Sequence, residues 1–177
     1  MQFNHGNMVG PSLAAELASL AGRGWDHGSA AAVLRGHGVR RPDLSVEASR
    51  RLGEWAARLR APFAAEDVKG RCEAINALLE AATQRMTLST HDGHKPHLHF
   101  ASDHDDVVAR VTAITAGGLA IFTVESEGGR LGACARAGCP EVFVDTSRNG
   151  RRAYCSARCG NHDAVQRHRS AARRQAR

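Results

Sequence analysis

Residues 134–159 read CARAGCPEVFVDTSRNGRRAYCSARC and hold four of the chain's five cysteines. The spacing is Cys134-x4-Cys139, fifteen intervening residues, then Cys155-x3-Cys159. Two short loops each deliver two thiolates, which is how a small segment builds a tetrahedral site without a large apolar core. In a chain with no charged-then-apolar leader, paired pairs of this kind point to metal rather than to disulfides. The expected cofactor is one structural Zn2+ held by Cys134, Cys139, Cys155 and Cys159, with an iron–sulfur cluster as the alternative that the hairpin–helix layout disfavours. Four thiolates leave such an ion no open position, which argues against a catalytic zinc.

Between the pairs, Glu141–Asp145 alternates apolar residues and reads as a strand, and Ser147–Gly150 as a turn whose Asn-Gly suits positive backbone dihedrals. Arg151–Tyr154 is then expected as the return strand, and Gly160–Arg174 as a helix. A knuckle, a hairpin, a second knuckle and a helix together resemble a treble-clef finger.

Charge is distributed unevenly. Residues 1–129 hold 13 Arg/Lys against 15 Asp/Glu, while residues 130–177 hold 11 Arg against three acids, so the net +6 arises from −2 and +8. Four thiolates around one zinc dication would leave the C-terminal part at about +6, enough for a polyanionic partner. The candidate nucleic-acid contacts are Arg148, Arg151 and Arg152 on the hairpin, with Arg158, Arg167, Arg169, Arg173 and Arg174 on the helix. Guanidinium forks suit phosphates and guanine edges.

Upstream the chain reads as mainly helical. Pro11–Ala21, Ser29–Gly36, a helix capped by Asp43 or Ser45 and broken by Pro62, and Ala64–Gln84 supply four helices. Cys72 falls in the apolar pattern of the last and is expected to be a small buried hydrophobe. The segments MTLST (86–90) and HLHFA (97–101) read as a hairpin around Asp92-Gly93. A further helix is expected from a cap at Ser102, with Gly117-Gly118 as its end. Leu119–Val124 fits either strand or helix and falls far short of a bilayer span of about 20 residues. Glu127-Gly128-Gly129 reads as a hinge. The fold class expected is α+β: a mainly helical N-terminal domain with a small hairpin over 1–129, and a basic zinc finger over 130–177.

Particular residues carry a family resemblance. Arg130-Leu131, the segment FVDTSRNGRR (143–152), Tyr154-Cys155-Ser156 and Cys159-Gly160-Asn161 resemble the CGNR zinc finger. More loosely, INALLEAA (75–82) and PHLHF (96–100) resemble the ABATE domain that precedes it in bacterial proteins described as stress-induced transcription regulators. The resemblance implies duplex DNA as partner and transcriptional control; the expected location is the cytoplasm, at the nucleoid. In two places the chain departs from the family. His162 replaces the signature arginine, and Glu16-Leu17-Ala18-Ser19-Leu20 stands where an Asp-Leu-x-Asn-Thr-like element is usual.

Five histidines, His91, His94, His97, His99 and His104, lie within fourteen residues. His97 and His99 share one strand face and are candidates for a ligand pocket or a second metal. A second copy of the chain and a small-molecule effector are further candidate partners; a membrane is not. Alternative readings are an adaptor that docks an acidic protein, or RNA binding, although Phe143 and Tyr154 offer little aromatic surface for bases. No glycine loop or nucleophile–base pair suggests an enzyme.

Overall fold

The computed structural model describes residues 8–39, 44–82, 87–89, 97–101 and 105–175. Helix α1, Val9–Arg23, carries Pro11 in its first turn, where a missing N–H costs nothing, and buries Leu13, Leu17 and Leu20. Gly22 does not stop it; the helix ends at Gly24, whose φ of 111° suits a residue without Cβ. Helix α2, His27–Gly36, starts ahead of the expected Ser29 because the Asp26 carboxylate accepts the Ser29 N–H at 2.7 Å. Of the two cap candidates for α3 (Val46–Arg58), Ser45 accepts the Ala48 N–H at 3.1 Å; Asp43 lies outside the described residues.

Pro62 acts upstream of itself. The chain breaks at Leu59 and restarts as α4, Arg60–Ala64, because a proline has no N–H for the carbonyl four residues back and its ring crowds that carbonyl. Helix α5 then runs Val68–Ala82, its start fixed by Asp67 accepting the Gly70 N–H at 2.7 Å.

The buried stripe of α5 is Arg71, Ile75 and Leu78, which leaves Cys72 exposed, not buried as its neighbours suggested. Arg71 explains the rotation. Its guanidinium is buried and donates to the carbonyls of Pro62, Ala65, Gly128 and Leu131, so the helix presents that side to the core.

Strands β1 (Thr87–Ser89) and β2 (His97–His99) pair antiparallel, Leu88 opposite Leu98, as the alternation predicted. The turn between them lies outside the described residues, as does Ser102. Asp106 caps the next helix, accepting the Ala109 N–H at 2.7 Å.

That helix, α6 (Val107–Glu125), runs straight through Gly117-Gly118 and makes Leu119–Val124 helical. The two glycines are there for approach rather than for termination. A Cβ on Gly118 would sit 2.7 Å from the Gly10 Cα, and one on Gly117 would sit 2.4 Å from the Phe100 ring. Helix α1 and the Phe100 ring therefore lie against α6 more closely than alanine would permit. By length and composition α6 could cross a membrane, but 61% of its most apolar window is buried inside the protein. It is the core helix, packed against α1, α3 and α5. The Trp55 indole donates to Thr115 Oγ1 at 3.0 Å in that interior, which satisfies the ring's polar end.

After a turn at Ser126–Gly128, strand β3 (Leu131–Ala133) pairs antiparallel with β4 (Val142–Val144). Gly128 adopts φ 80° and its carbonyl is held by Arg71, so the expected hinge is a tight, fastened turn. The expected return strand Arg151–Tyr154 is not a strand; β4 finds its partner upstream, across the first cysteine knuckle. The chain closes with α7, Ala157–Gln175.

Candidate metal centre and basic face

Strands β3 and β4 deliver the first two cysteines from the two sides of one turn. The Cys134 N–H donates to the Glu141 carbonyl at 2.9 Å and extends the ladder, and the Cys139 N–H returns to Arg136 O at 3.0 Å. Gly138, with φ 73°, makes the bend between them. The second pair comes from the start of α7. Ser156 caps that helix, its Oγ accepting the Cys159 N–H at 3.3 Å and its carbonyl the Gly160 N–H at 3.2 Å. Cys155 and Cys159 therefore sit at the helix N-terminus, where the dipole favours thiolate.

The four Sγ atoms all lie within 4.8 Å of one another. Measured pairs are Cys155–Cys159 at 3.5 Å, Cys139–Cys155 at 3.8 Å and Cys139–Cys159 at 3.9 Å. Vertices of a tetrahedron with Zn–S bonds of about 2.3 Å stand roughly 3.8 Å apart, so the sulfurs are spaced for one zinc. They are also far too distant for a disulfide, and all are free. The donor set and its dimensions both fit a closed structural site.

Further groups surround the sulfurs. The Arg136 guanidinium donates to Cys159 Sγ at 3.2 Å, and the Cys155 N–H reaches Cys134 Sγ at 3.4 Å. Hydrogen bonds from Ser156, Cys155 and Arg136 bring the Cys159 thiol down to about 6, whereas burial pushes the Cys155 thiol up. The sulfur contact in turn raises the Arg136 pKa.

The connecting loop is organised by an acid that the sequence reading did not single out. Asp145 is buried and accepts the N–H groups of Ser147 at 2.9 Å and Arg152 at 2.8 Å. Burial raises its pKa, but the hydrogen bonds from Ser147 and Arg152 outweigh it and hold the carboxyl below the usual range. Asp-x-Ser is an Asx-turn signal, so the role was in principle readable. Arg130 closes the loop from outside, donating to the carbonyls of Asp145 and Ser147. Tyr154 donates to Asp163 at 2.7 Å, and Gly160 fits beneath its ring, where a Cβ would come within 3.3 Å.

The finger's hairpin is fastened to the helical body. Ser19 Oγ accepts the Val142 N–H at 3.0 Å and donates to the Val142 carbonyl at 3.2 Å. Arg60 Nη1 bridges the carbonyls of Ala18 and Pro140 at 2.9 and 2.8 Å, and Arg23 pairs with Glu141. Leu131 and Val142 belong to the same buried cluster as Leu17 and Phe63. Serine in the Glu16–Leu20 segment is therefore a docking residue for the strand behind the knuckle.

The candidate arginines divide into two groups. Arg152, although exposed, is engaged within the finger: it donates to the carbonyls of Tyr154 and Cys155 and lies 4.6 Å from the Phe143 ring centroid. Arg167 pairs with Asp163 at 3.1 Å while remaining exposed. Arg148, Arg151, Arg158 and Arg169 are exposed. On α7, positions 158, 162, 165, 169 and 173 fall along one line by helical spacing, so Arg158, His162 and Arg169 share a face with Val165. Position 174 lies on the same helix, away from that line; the side chains of Arg173 and Arg174 lie outside the described residues.

His97 and His99 occupy alternate positions of β2, opposite Ser89 and Thr87, but their side chains lie outside the described residues, as do His91, His94 and His104. Among the described residues, the four cysteines form the one grouping with metal-ligand geometry.

No curated protein shows significant similarity to the chain. The model of one family, the CGNR zinc finger, matches residues 130–174, which span all four cysteines, the Asp145 loop and nearly all of α7. Residues 130–174 match the CGNR zinc finger, and Cys134, Cys139, Cys155 and Cys159 within them form a single site spaced for zinc.

Proposed function

We propose that the chain is a transcription regulator whose zinc finger binds duplex DNA through the outward face of α7. The observation that carries this reading is that helix itself. Residues 164–172 are all exposed, and the apolar face that normally holds a helix to a protein is missing. A helix of that composition is suited to an external partner, and Arg158 and Arg169 along one line suit a groove flanked by phosphates. Zinc with four protein ligands keeps no position for a substrate, which supports scaffolding rather than catalysis. The helical body over 1–129 would then sense an effector or pair two copies, and the protein would act in the cytoplasm at the nucleoid.

Fluorescence anisotropy with a labelled duplex tests this. Binding should weaken steeply as salt rises, because arginine–phosphate contacts release counterions. Replacing Arg158 and Arg169 together by Ala should lower affinity about tenfold or more at fixed salt and leave one zinc per chain. Undetectable duplex binding at low salt sinks the proposal. Val165, half exposed within the same line, favours a second reading in which α7 docks an acidic protein. In that case R158A/R169A and Val165→Asp would weaken a protein complex and duplex affinity would be absent.

A further inference from the structure

Cys155 differs from the other zinc ligands in how it meets solvent. Two clefts flank the metal centre. One, of about 560 Å³, lies between α1 and β4 and is lined by Ser12, Glu16, Thr146 and Cys155 among others. The second, of about 600 Å³, lies between the first knuckle and α7 and is lined by Arg136, Cys139, Cys155, Arg158, Cys159 and His162. Cys155 lines both, whereas Cys139 and Cys159 line the second alone and Cys134 lines neither. Cys134 and Cys159 are buried; Cys139 and Cys155 are half-buried. Cys155 is therefore the half-buried ligand that borders both clefts.

We propose that Cys155 is an oxidant-sensitive modification site, and that hydrogen peroxide converts the zinc finger to a metal-free disulfide form through it. The Cys155 thiolate attacks one peroxide oxygen; the O–O bond breaks, the sulfur becomes the sulfenic acid and the other oxygen leaves as hydroxide, taking a proton to become water. A neighbouring thiolate, Cys159 at 3.5 Å or Cys139 at 3.8 Å, then attacks that sulfur and expels the sulfenic hydroxyl as a second hydroxide, protonated to water. Two thiolates, one peroxide and two protons thus give one disulfide and two waters. Two sulfurs remain as ligands, too few for the closed tetrahedral site.

The surrounding contacts decide what such a change moves. The first knuckle stays fastened to the body by Ser19, Arg60 and β3–β4. Helix α7 has Cys159 as its one buried residue over 157–172, so a Cys155–Cys159 disulfide frees it from the first knuckle, whereas a Cys139–Cys155 disulfide keeps its start tied there. The part of the protein proposed to meet DNA is the part whose attachment changes. That consequence rests on the DNA reading; the oxidation itself does not.

The test uses the zinc-loaded full chain carrying Cys72→Ser, which removes the exposed thiol outside the site. Hydrogen peroxide is added with a chromogenic zinc chelator present, and the products are mapped by differential alkylation and peptide mass spectrometry. The expected result is release of one zinc per chain, two thiols lost, and Cys155 in the first disulfide formed. Dithiothreitol with added zinc should restore the starting state. Zinc retained after several equivalents of peroxide overturns the proposal, as does a first disulfide without Cys155. Cys155→His, which keeps four ligands, should slow release about tenfold; release at the unchanged rate from a zinc-loaded Cys155→His also overturns it. Zinc release and peptide mapping require no DNA, so failure of duplex binding leaves this result standing on its own.

Discussion

The helical body and the terminal segment 145–175 are stabilised by different physics. In the body, Leu13, Leu17, Leu52, Leu59, Leu119 and Phe122 are wholly buried, each contributing roughly 1.5–3 kcal/mol of transfer free energy. Between 145 and 172, Asp145 and Cys159 are the buried residues, and neither is a large apolar side chain. The first region is held by area, the second by a metal and a handful of directed hydrogen bonds. A small segment cannot bury enough surface to order itself, so its order is borrowed from ligation and from the strand that ties it to α1.

The contrast breaks most sharply when the metal is lost. Cys159→Ser should abolish stoichiometric zinc binding and unfold α7, because the ligation free energy of such sites, about 10–16 kcal/mol, is the folding free energy of what they hold. Helical signal from α7 should disappear in circular dichroism while a cooperative thermal transition of the body persists. A body that melts together with the finger would show that the β3–β4 attachment transmits more than the hydrogen bonds suggest.

A smaller effect is expected at the joint. Arg71→Met removes the donor that satisfies the carbonyls of Pro62, Ala65, Gly128 and Leu131. It should cost about 3 kcal/mol, since buried acceptors are left without partners. Urea unfolding should show a lower midpoint with zinc content unchanged. If zinc affinity falls as well, the turn at Gly128 positions β3 for ligation.

The smallest effect lies inside the finger. Asp145→Asn should destabilise the loop by about 1–2 kcal/mol at neutral pH, because a charged acceptor of two N–H groups becomes a neutral one. The sign of the pH dependence follows from the lowered carboxyl. Its contribution is complete above the unfolded carboxylate range and is lost as pH falls through the folded value. Protection factors of the Ser147 and Arg152 amides, taken relative to the intrinsic exchange rate at each pH, should therefore fall in acid for the wild type and be less pH-dependent in the variant.

Much of the site could be read directly from residue order. Cysteine spacing fixes the ligand set, because two short loops with thiolates at each end have few other uses. Cap residues such as Ser45 were visible for the same local reason. Where reading failed, a distant contact had overruled a local signal. Gly117-Gly118 looks like a helix stop, yet the packing of α1 and Phe100 makes the same residues a place of close approach. Cys72 sits in an apolar pattern, but the buried guanidinium one residue earlier turns it outward. Arg152 belongs to a basic run, and only the positions of Phe143 and Tyr154 show that it serves the loop.

The sequence by itself determined which four sulfurs bind zinc and that positive charge gathers around them, since ligand identity and charge are properties of residue type and spacing. Tertiary structure alone decided which strand β4 pairs with, how the knuckle is fastened to Ser19 and Arg60, and which arginines are engaged within the finger. Those outcomes depend on contacts between residues up to 123 positions apart, as for Ser19 and Val142, and no local pattern encodes a partner at that separation.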